Sequence, residues 1–244
     1  MNKKNKKVKR IKKIKKFIKS NRKNILIVLI LITLAVSLVC NIFQFNNKCV
    51  NETKTIYKVD ENIVFFGDSI TDYYKINEFF PDVNIVNSGI SGDEASDLLE
   101  RIEKDVYRYN PSKVFLLIGI NDLNRKVDEK EILSNIQKII NGIKTNRKYA
   151  KIYVQSVYPV NHNSFEEHEY KFNKDITNER INEFNKKLQH ICEESDVIYI
   201  DVFNKLIDKE GNLKEIYTVE GLHINDLGYF KVTSVLQKYV YEKK

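Results

Sequence analysis

Four short segments of this 244-residue chain collect residue types that together could cut an acyl bond. The first is Gly67-Asp68-Ser69-Ile70, where a strand-like run gives way to a helix. Read alone, Ser69 is a helix N-cap serine. Read as a nucleophile it needs a base, because an unassisted hydroxyl is unreactive. The chain has four histidines. His162, His168 and His190 fall in a polar stretch or on a helix and read as surface residues. His223 stands in Glu220-Gly221-Leu222-His223, three residues after a carboxylate. That spacing lets Glu220 accept from the imidazole Nδ1–H and leaves Nε2 facing outward, the way an acid orients a histidine toward a serine. The plain alternative is a capping His beside a capping Glu.

Two further segments offer donors. Asn87-Ser88-Gly89-Ile90-Ser91-Gly92-Asp93 presents the backbone N–H of Gly89, and Gly119-Ile120-Asn121-Asp122 presents the side-chain amide of Asn121. Donors fixed in advance around a developing oxyanion contribute about 3–4 kcal/mol each. Each also has a plain reading, a turn at Gly89 and a cap or loop bond at Asn121. Their grouping argues for a set: six of the eight glycines (Gly67, Gly89, Gly92, Gly119, Gly221, Gly228) lie in these four segments. Glycine serves where backbone turns sharply or approaches a ligand.

With these motifs the chain resembles the SGNH/GDSL hydrolases, the GDSL-like lipases and acylhydrolases, over about residues 60–241. The resemblance implies Ser69 as nucleophile and His223 as base. It implies an oxyanion hole of Ser69 N–H, Gly89 and Asn121. The family's last block is usually D-x-x-H, so Glu220 stands where an Asp is expected. The resemblance also implies a flavodoxin-like parallel sheet of order 2-1-3-4-5 and a reaction without metal or organic cofactor. NSGISGD and GLHIN are most similar to the bacterial platelet-activating-factor-acetylhydrolase-like group, which implies removal of small acyl groups, commonly acetyl. A lysophospholipase or lipase, and an O-acyltransferase acting on cell-surface glycans, stay open beside that reading. So does a non-catalytic anchored binding domain, for which the Glu at position 220 speaks.

The elements needed to hold these segments are legible as alternation. Apolar runs at Ile63–Phe66, Val83–Val86, Val114–Ile118, Ile152–Val157 and Val197–Val202 read as strands. Between and after them lie amphipathic stretches: Asp93–Tyr109, Asp128–Arg147, Ile176–Cys192 and Leu227–Tyr241, the last with Phe230, Val232, Val235, Leu236 and Tyr239 on its apolar face. Strands alternating with helices predict a parallel five-stranded sheet in a three-layer α/β/α sandwich. Sites in such folds gather at the carboxyl ends of the strands. Asn161–Lys174 has no periodicity and reads as a long loop over that edge.

Charge is unevenly placed. The chain has 41 Lys/Arg and 33 Asp/Glu, a net of +8, but residues 1–24 hold 13 of the basic groups and no acid. The remainder is mildly acidic, with 28 basic against 33 acidic residues, which argues against nucleic-acid binding by the domain. Residues 25–45 carry no charge. At about 1.5 Å per residue such a helix matches a hydrocarbon core of roughly 30 Å. The expected organisation is a basic cytoplasmic tail (1–24), an uncleaved transmembrane signal-anchor (25–45), a stalk (46–60) and an extracytoplasmic SGNH hydrolase domain (61–244) in a bacterial-type cell envelope. Val8, Ile11, Ile14 and Ile18 also sit at helical spacing among the lysines, as in a helix lying on anionic lipid. Three cysteines (Cys40, Cys49, Cys192) with no CxxC or Cys/His cluster give neither a disulfide framework nor a zinc site.

Overall fold

The computed structural model describes residues 59–168 and 171–242. The basic tail, the apolar segment 25–45, most of the stalk, and Cys40 and Cys49 lie outside the described residues. Among the described residues no helix is long and apolar enough to cross a membrane.

Five strands build one parallel sheet: β1 (Val59–Gly67), β2 (Val83–Gly89), β3 (Lys113–Leu117), β4 (Lys151–Gln155) and β5 (Ile198–Ile200). Their order is β2-β1-β3-β4-β5, the expected one. β3 is buried at every position, as a strand covered on both faces must be. β5 keeps only three residues of the expected run; Ile198 at this sheet edge is 37% exposed.

Strand register sorts the side chains into two layers. Phe65, Phe115 and Tyr153 stand opposite one another on β1, β3 and β4. Their rings stack in a row with centroids 4.6 and 4.5 Å apart. Tyr74, Phe80 and Tyr239 close over this row. The short helices α1 (Ser69–Asp72) and α2 (Ile76–Phe79) therefore cover this face with the C-terminal helix, Asp226–Val240. Phe66 is one residue on and points the other way. Its ring lies under the guanidinium of Arg101 in α3 (Ala95–Asp105). α3 packs on α5 (Glu129–Asn146), and α5 on α7 (Asn178–Glu194). This is the expected three-layer sandwich.

The long helices begin where the sequence offers caps. Asp128 accepts from Lys130 N, and Thr177 from Arg180 N. In α5 the side chains of Ile132, Ile136, Ile139, Ile140 and Ile143 are fully buried. Two expectations change. Asn161–Lys174 is not all loop, because Asn161 caps Ser164 N at 3.1 Å and starts α6 (His162–Glu167), which buries Phe165. One and a half turns are too few to show a period. The final helix, α9 after α8 (Phe203–Leu206), buries Tyr229, Val232, Leu236 and Val240, while Phe230 is 68% exposed. Lys113, buried at the start of β3, donates to Val240 O and Glu242 O at 2.8 and 2.7 Å, and so satisfies carbonyls at the end of α9.

Candidate active site

The first turn after β1 sets the nucleophile. Asp68 caps α1 by accepting from Ile70 N at 3.0 Å, which leaves Ser69 as the first helical residue. Its hydroxyl is nearly buried and lies 3.0 Å from His223 Nε2. These residues are 154 apart in sequence and are brought together by the closing of α9 onto the β1 face.

His223 is held by its own turn. Thr218 Oγ1 accepts from Gly221 N at 2.7 Å and donates to His223 O at 2.8 Å. Gly221 has φ +115°, a conformation open to glycine, and coils the chain so that Glu220 folds back. Glu220 Oε1 then accepts from His223 Nδ1 at 2.5 Å and from the His223 backbone N–H at 3.2 Å. The extra methylene of Glu over Asp is absorbed by this coil.

The other histidines are engaged elsewhere. His162 Nε2 bonds Ile176 O, His168 Nδ1 bonds Ser164 O, and His190 lies 3.6 Å from Glu194 on the exposed face of α7.

The N–H groups of the segment after β2 differ in their hydrogen bonding. Gly89 N–H already donates to Asn87 Oδ1 at 2.9 Å. Asn87 is itself locked by its Nδ2, which donates to Thr71 O and Tyr74 O at 2.8 and 3.1 Å. Gly89 is glycine for a packing reason, since a Cβ there would stand 2.2 Å from Asp72 N. Three residues on, Gly92 has φ +88°, a Cβ there would meet Arg125 Nη2 at 3.7 Å, and no hydrogen bond among the described residues engages its N–H. The same holds for the N–H of Ser69. Gly92 occupies the same motif and was not among the donors expected from the sequence. Only the hydrogen bond inside Asn87-Ser88-Gly89 separates the two glycines.

α4 (Ile120–Asn124) follows β3, and Asn121 Nδ2 donates one hydrogen to Asp93 O at 2.9 Å. The next residue, Asp122, accepts from Ala95 N at 3.0 Å. The segment after β3 is thus stapled to the one after β2. Ile90 N donates to Gly67 O at 3.0 Å, and Ser91 Oγ to Asp72 Oδ2 at 2.6 Å, which ties the β2 segment to the β1 turn.

Beneath these groups the floor is polar but uncharged in part. Burial pushes the Asp68 carboxyl up to about 7 and that of Asp122 up to about 6. Asp68 Oδ2 has no hydrogen-bond partner among the described residues. Tyr229 OH donates to Ile70 O at 2.8 Å, and burial holds this phenol well above its ordinary pKa. Tyr73 and Val219 are exposed and line, with Glu220, His223 and Ile224, a cavity of about 470 Å³ on the imidazole side. Among the described residues no group of three or more His, Cys, Asp or Glu side chains is placed to hold a metal ion. Burial raises the Cys192 thiol to about 12, and this residue lies in the core.

The raised Asp68 carboxyl carries a testable consequence. An Asp whose folded pKa lies above its unfolded value of 3.8 contributes stability that is complete below that pH and lost as pH rises through about 7. Asp68→Asn keeps the Oδ1 cap and removes the titration. The fall in unfolding free energy between pH 4.5 and pH 8 is expected to shrink by on the order of 3 kcal/mol in the variant. Urea melts at the two pH values measure it; equal falls in both proteins exclude a raised Asp68.

Comparison with known proteins agrees with this architecture. Residues 65–230 match the model of the GDSL-like Lipase/Acylhydrolase family. A solved Streptococcus pneumonia protein named for platelet activating factor is 32% identical; the match covers 86% of this chain and 99% of that one, with TM-score 0.69. An N-acylneuraminate cytidylyltransferase of Escherichia coli is 30% identical over 192 residues, or 78% of this chain and 42% of that protein. The chain thus spans less than half the length of that relative. An acetylxylan esterase of Geobacillus stearothermophilus is 32% identical over a stretch covering 28% of this chain and 42% of that enzyme. The chain belongs to the GDSL-like lipase/acylhydrolase family.

Proposed function

We propose that this protein is a serine esterase that removes small acyl groups, acetyl foremost, from acylated carbohydrates through a Ser69–His223–Glu220 triad. The observation that carries the reading is the continuous chain of contacts from Ser69 Oγ through both imidazole nitrogens to Glu220, at 3.0 and 2.5 Å.

The steps follow from it. Ser69 Oγ attacks the ester carbonyl carbon as His223 Nε2 takes the hydroxyl proton. The carbonyl π electrons move onto oxygen, and that oxyanion is received by Ser69 N–H, Gly92 N–H and the Asn121 hydrogen that Asp93 does not use. Collapse breaks the C–O bond to the alcohol, which leaves with the proton from Nε2. Water then attacks the acyl-serine carbonyl as it gives a proton to Nε2, and collapse breaks the C–Oγ bond, with Oγ taking the proton back from Nε2, to release the carboxylic acid and regenerate Ser69 and neutral His223. Glu220 keeps Nδ1 protonated and stabilises the imidazolium throughout.

The carbohydrate preference draws on the names of two relatives, an acetylxylan esterase and an enzyme of N-acylneuraminate, each of which concerns an acylated sugar. A lipid ester is a second reading, favoured by the exposed apolar side chains of Tyr73, Ile90, Val219, Leu227 and Phe230 near the site or on α9. Rates on aryl esters from acetyl to decanoyl, beside acetylated xylose, separate the two. Rates falling beyond butyryl support the first, and a maximum at long chains overturns it. Asn121→Ala is expected to lower kcat on the acetyl ester roughly 10²- to 10³-fold with little change in KM, the mark of a donor that acts in the transition state.

The uncharged run 25–45 after the basic tail further supports anchorage in a membrane with the domain outside. Release of the full chain from membranes by alkaline carbonate would overturn the anchor.

A further inference from the structure

We propose that Arg101 is the positioning residue of the oxyanion hole, a single guanidinium that holds all three donor-bearing segments in register. The inference rests on the triad and donors proposed above.

Each segment meets Arg101 at a different nitrogen or through one intermediary. Nη2 donates to Gly67 O at 3.0 Å, two residues before Ser69. Nη1 donates to Ser88 O at 3.0 Å, at the end of β2 where the chain departs toward Gly92. Nε donates to Asp93 Oδ2 at 2.6 Å, in the residue after Gly92. Asp93 in turn holds Asn121 through its carbonyl. The guanidinium plane lies 4.7 Å over the Phe66 ring, and Nη1 also meets Asp105 Oδ2 at 3.1 Å, so the fork is fixed from both sides. Its side chain is only 12% exposed.

Geometry explains why arginine is needed. Three acceptors, one after β1 and two at either end of the segment after β2, lie around one planar group, and a fork with five fixed donors reaches them together. A lysine carries the same charge on one nitrogen and cannot span Gly67 O, Ser88 O and Asp93 at once. Oxyanion donors act only if they are placed before the reaction begins. Loosening any of the three segments by a fraction of an ångström therefore weakens transition-state binding while substrate binding is left alone.

The test is a double-mutant cycle on the full chain with an aryl acetate. Arg101→Lys is expected to lower kcat about 30-fold with KM changed less than about threefold. In an Asn121→Ala background the same substitution is expected to cost clearly less than about 30-fold, because one of the donors it positions is already gone and the two act through one hole. Additive losses, or a folded Arg101→Lys protein with kcat within about threefold of the parent, overturn the inference. If Arg101→Lys fails to fold, Asp93→Asn loosens the same link and is read in the same cycle. Labelling of the parent by a fluorophosphonate keeps the two readings apart. A parent that is neither labelled nor active removes the serine mechanism; a labelled, active parent with an indifferent Arg101 removes only the positioning role.

Discussion

Ser69→Ala is expected to lower kcat/KM on an aryl acetate by on the order of 10⁶-fold, the scale on which loss of a serine nucleophile acts. The size follows from what remains. Without Oγ there is no acyl-enzyme, and His223 can only assist water that must find its own place against the carbonyl. None of the other three histidines is placed to take over, since each is engaged away from Ser69. The fold is expected to persist. Ser69 Oγ makes its bond to His223 and to no backbone group, while the cap of α1 comes from Asp68. Alanine is a better helix former than serine at this position. A thermal midpoint near that of the parent, with loss of both hydrolysis and fluorophosphonate labelling, is the expected result. Retained turnover in a folded variant removes Ser69 from the mechanism.

How far such a site can be read from sequence depends on the range of the forces that build it. The strands and the long helices were legible because burial repeats, the isoleucines of α5 falling on one face and β3 being apolar throughout, whereas the strand order came from the family resemblance. The pairing of Ser69 with His223 was legible because each sits in a glycine-containing turn of recognisable chemistry. The choice between Gly89 and Gly92 was not. In the mechanism proposed above it rests on one side-chain bond from Asn87 and on the nearness of Asp72 N, neither of which leaves a pattern in the sequence. Helices of five to six residues, such as α4 and α6, were equally silent, since less than two turns carry no period. Phe230 shows the opposite failure, where an apolar residue at helical spacing points outward because Tyr229, bonded to Ile70 O, sets the buried stripe of α9.

Glu220→Gln is expected to cost roughly 10⁴-fold in kcat, the scale seen when the acid of a Ser-His-acid triad is neutralised. Two roles are lost together. The carboxylate charge stabilises the imidazolium that forms as Ser69 gives up its proton. Its oxygen also selects the tautomer, because an acceptor at Nδ1 leaves Nε2 free to act as base. Glutamine keeps the length and an acceptor, and the His223 backbone N–H at 3.2 Å favours its oxygen in the Oε1 position, so the turn should hold. The loss should therefore fall in kcat with thermal stability little changed. Glu220→Asp isolates reach from charge. Aspartate restores the anion but is one methylene short in a turn whose Gly221 φ of +115° is set for the longer side chain. A loss of about 10- to 100-fold is expected, milder than that of the amide because the charge is kept. Equal activity of the Gln variant and the parent would falsify the role of Glu220. An Asp variant faster than the parent would show that the coil around Gly221 accommodates either acid and that the longer one is no adaptation of this turn.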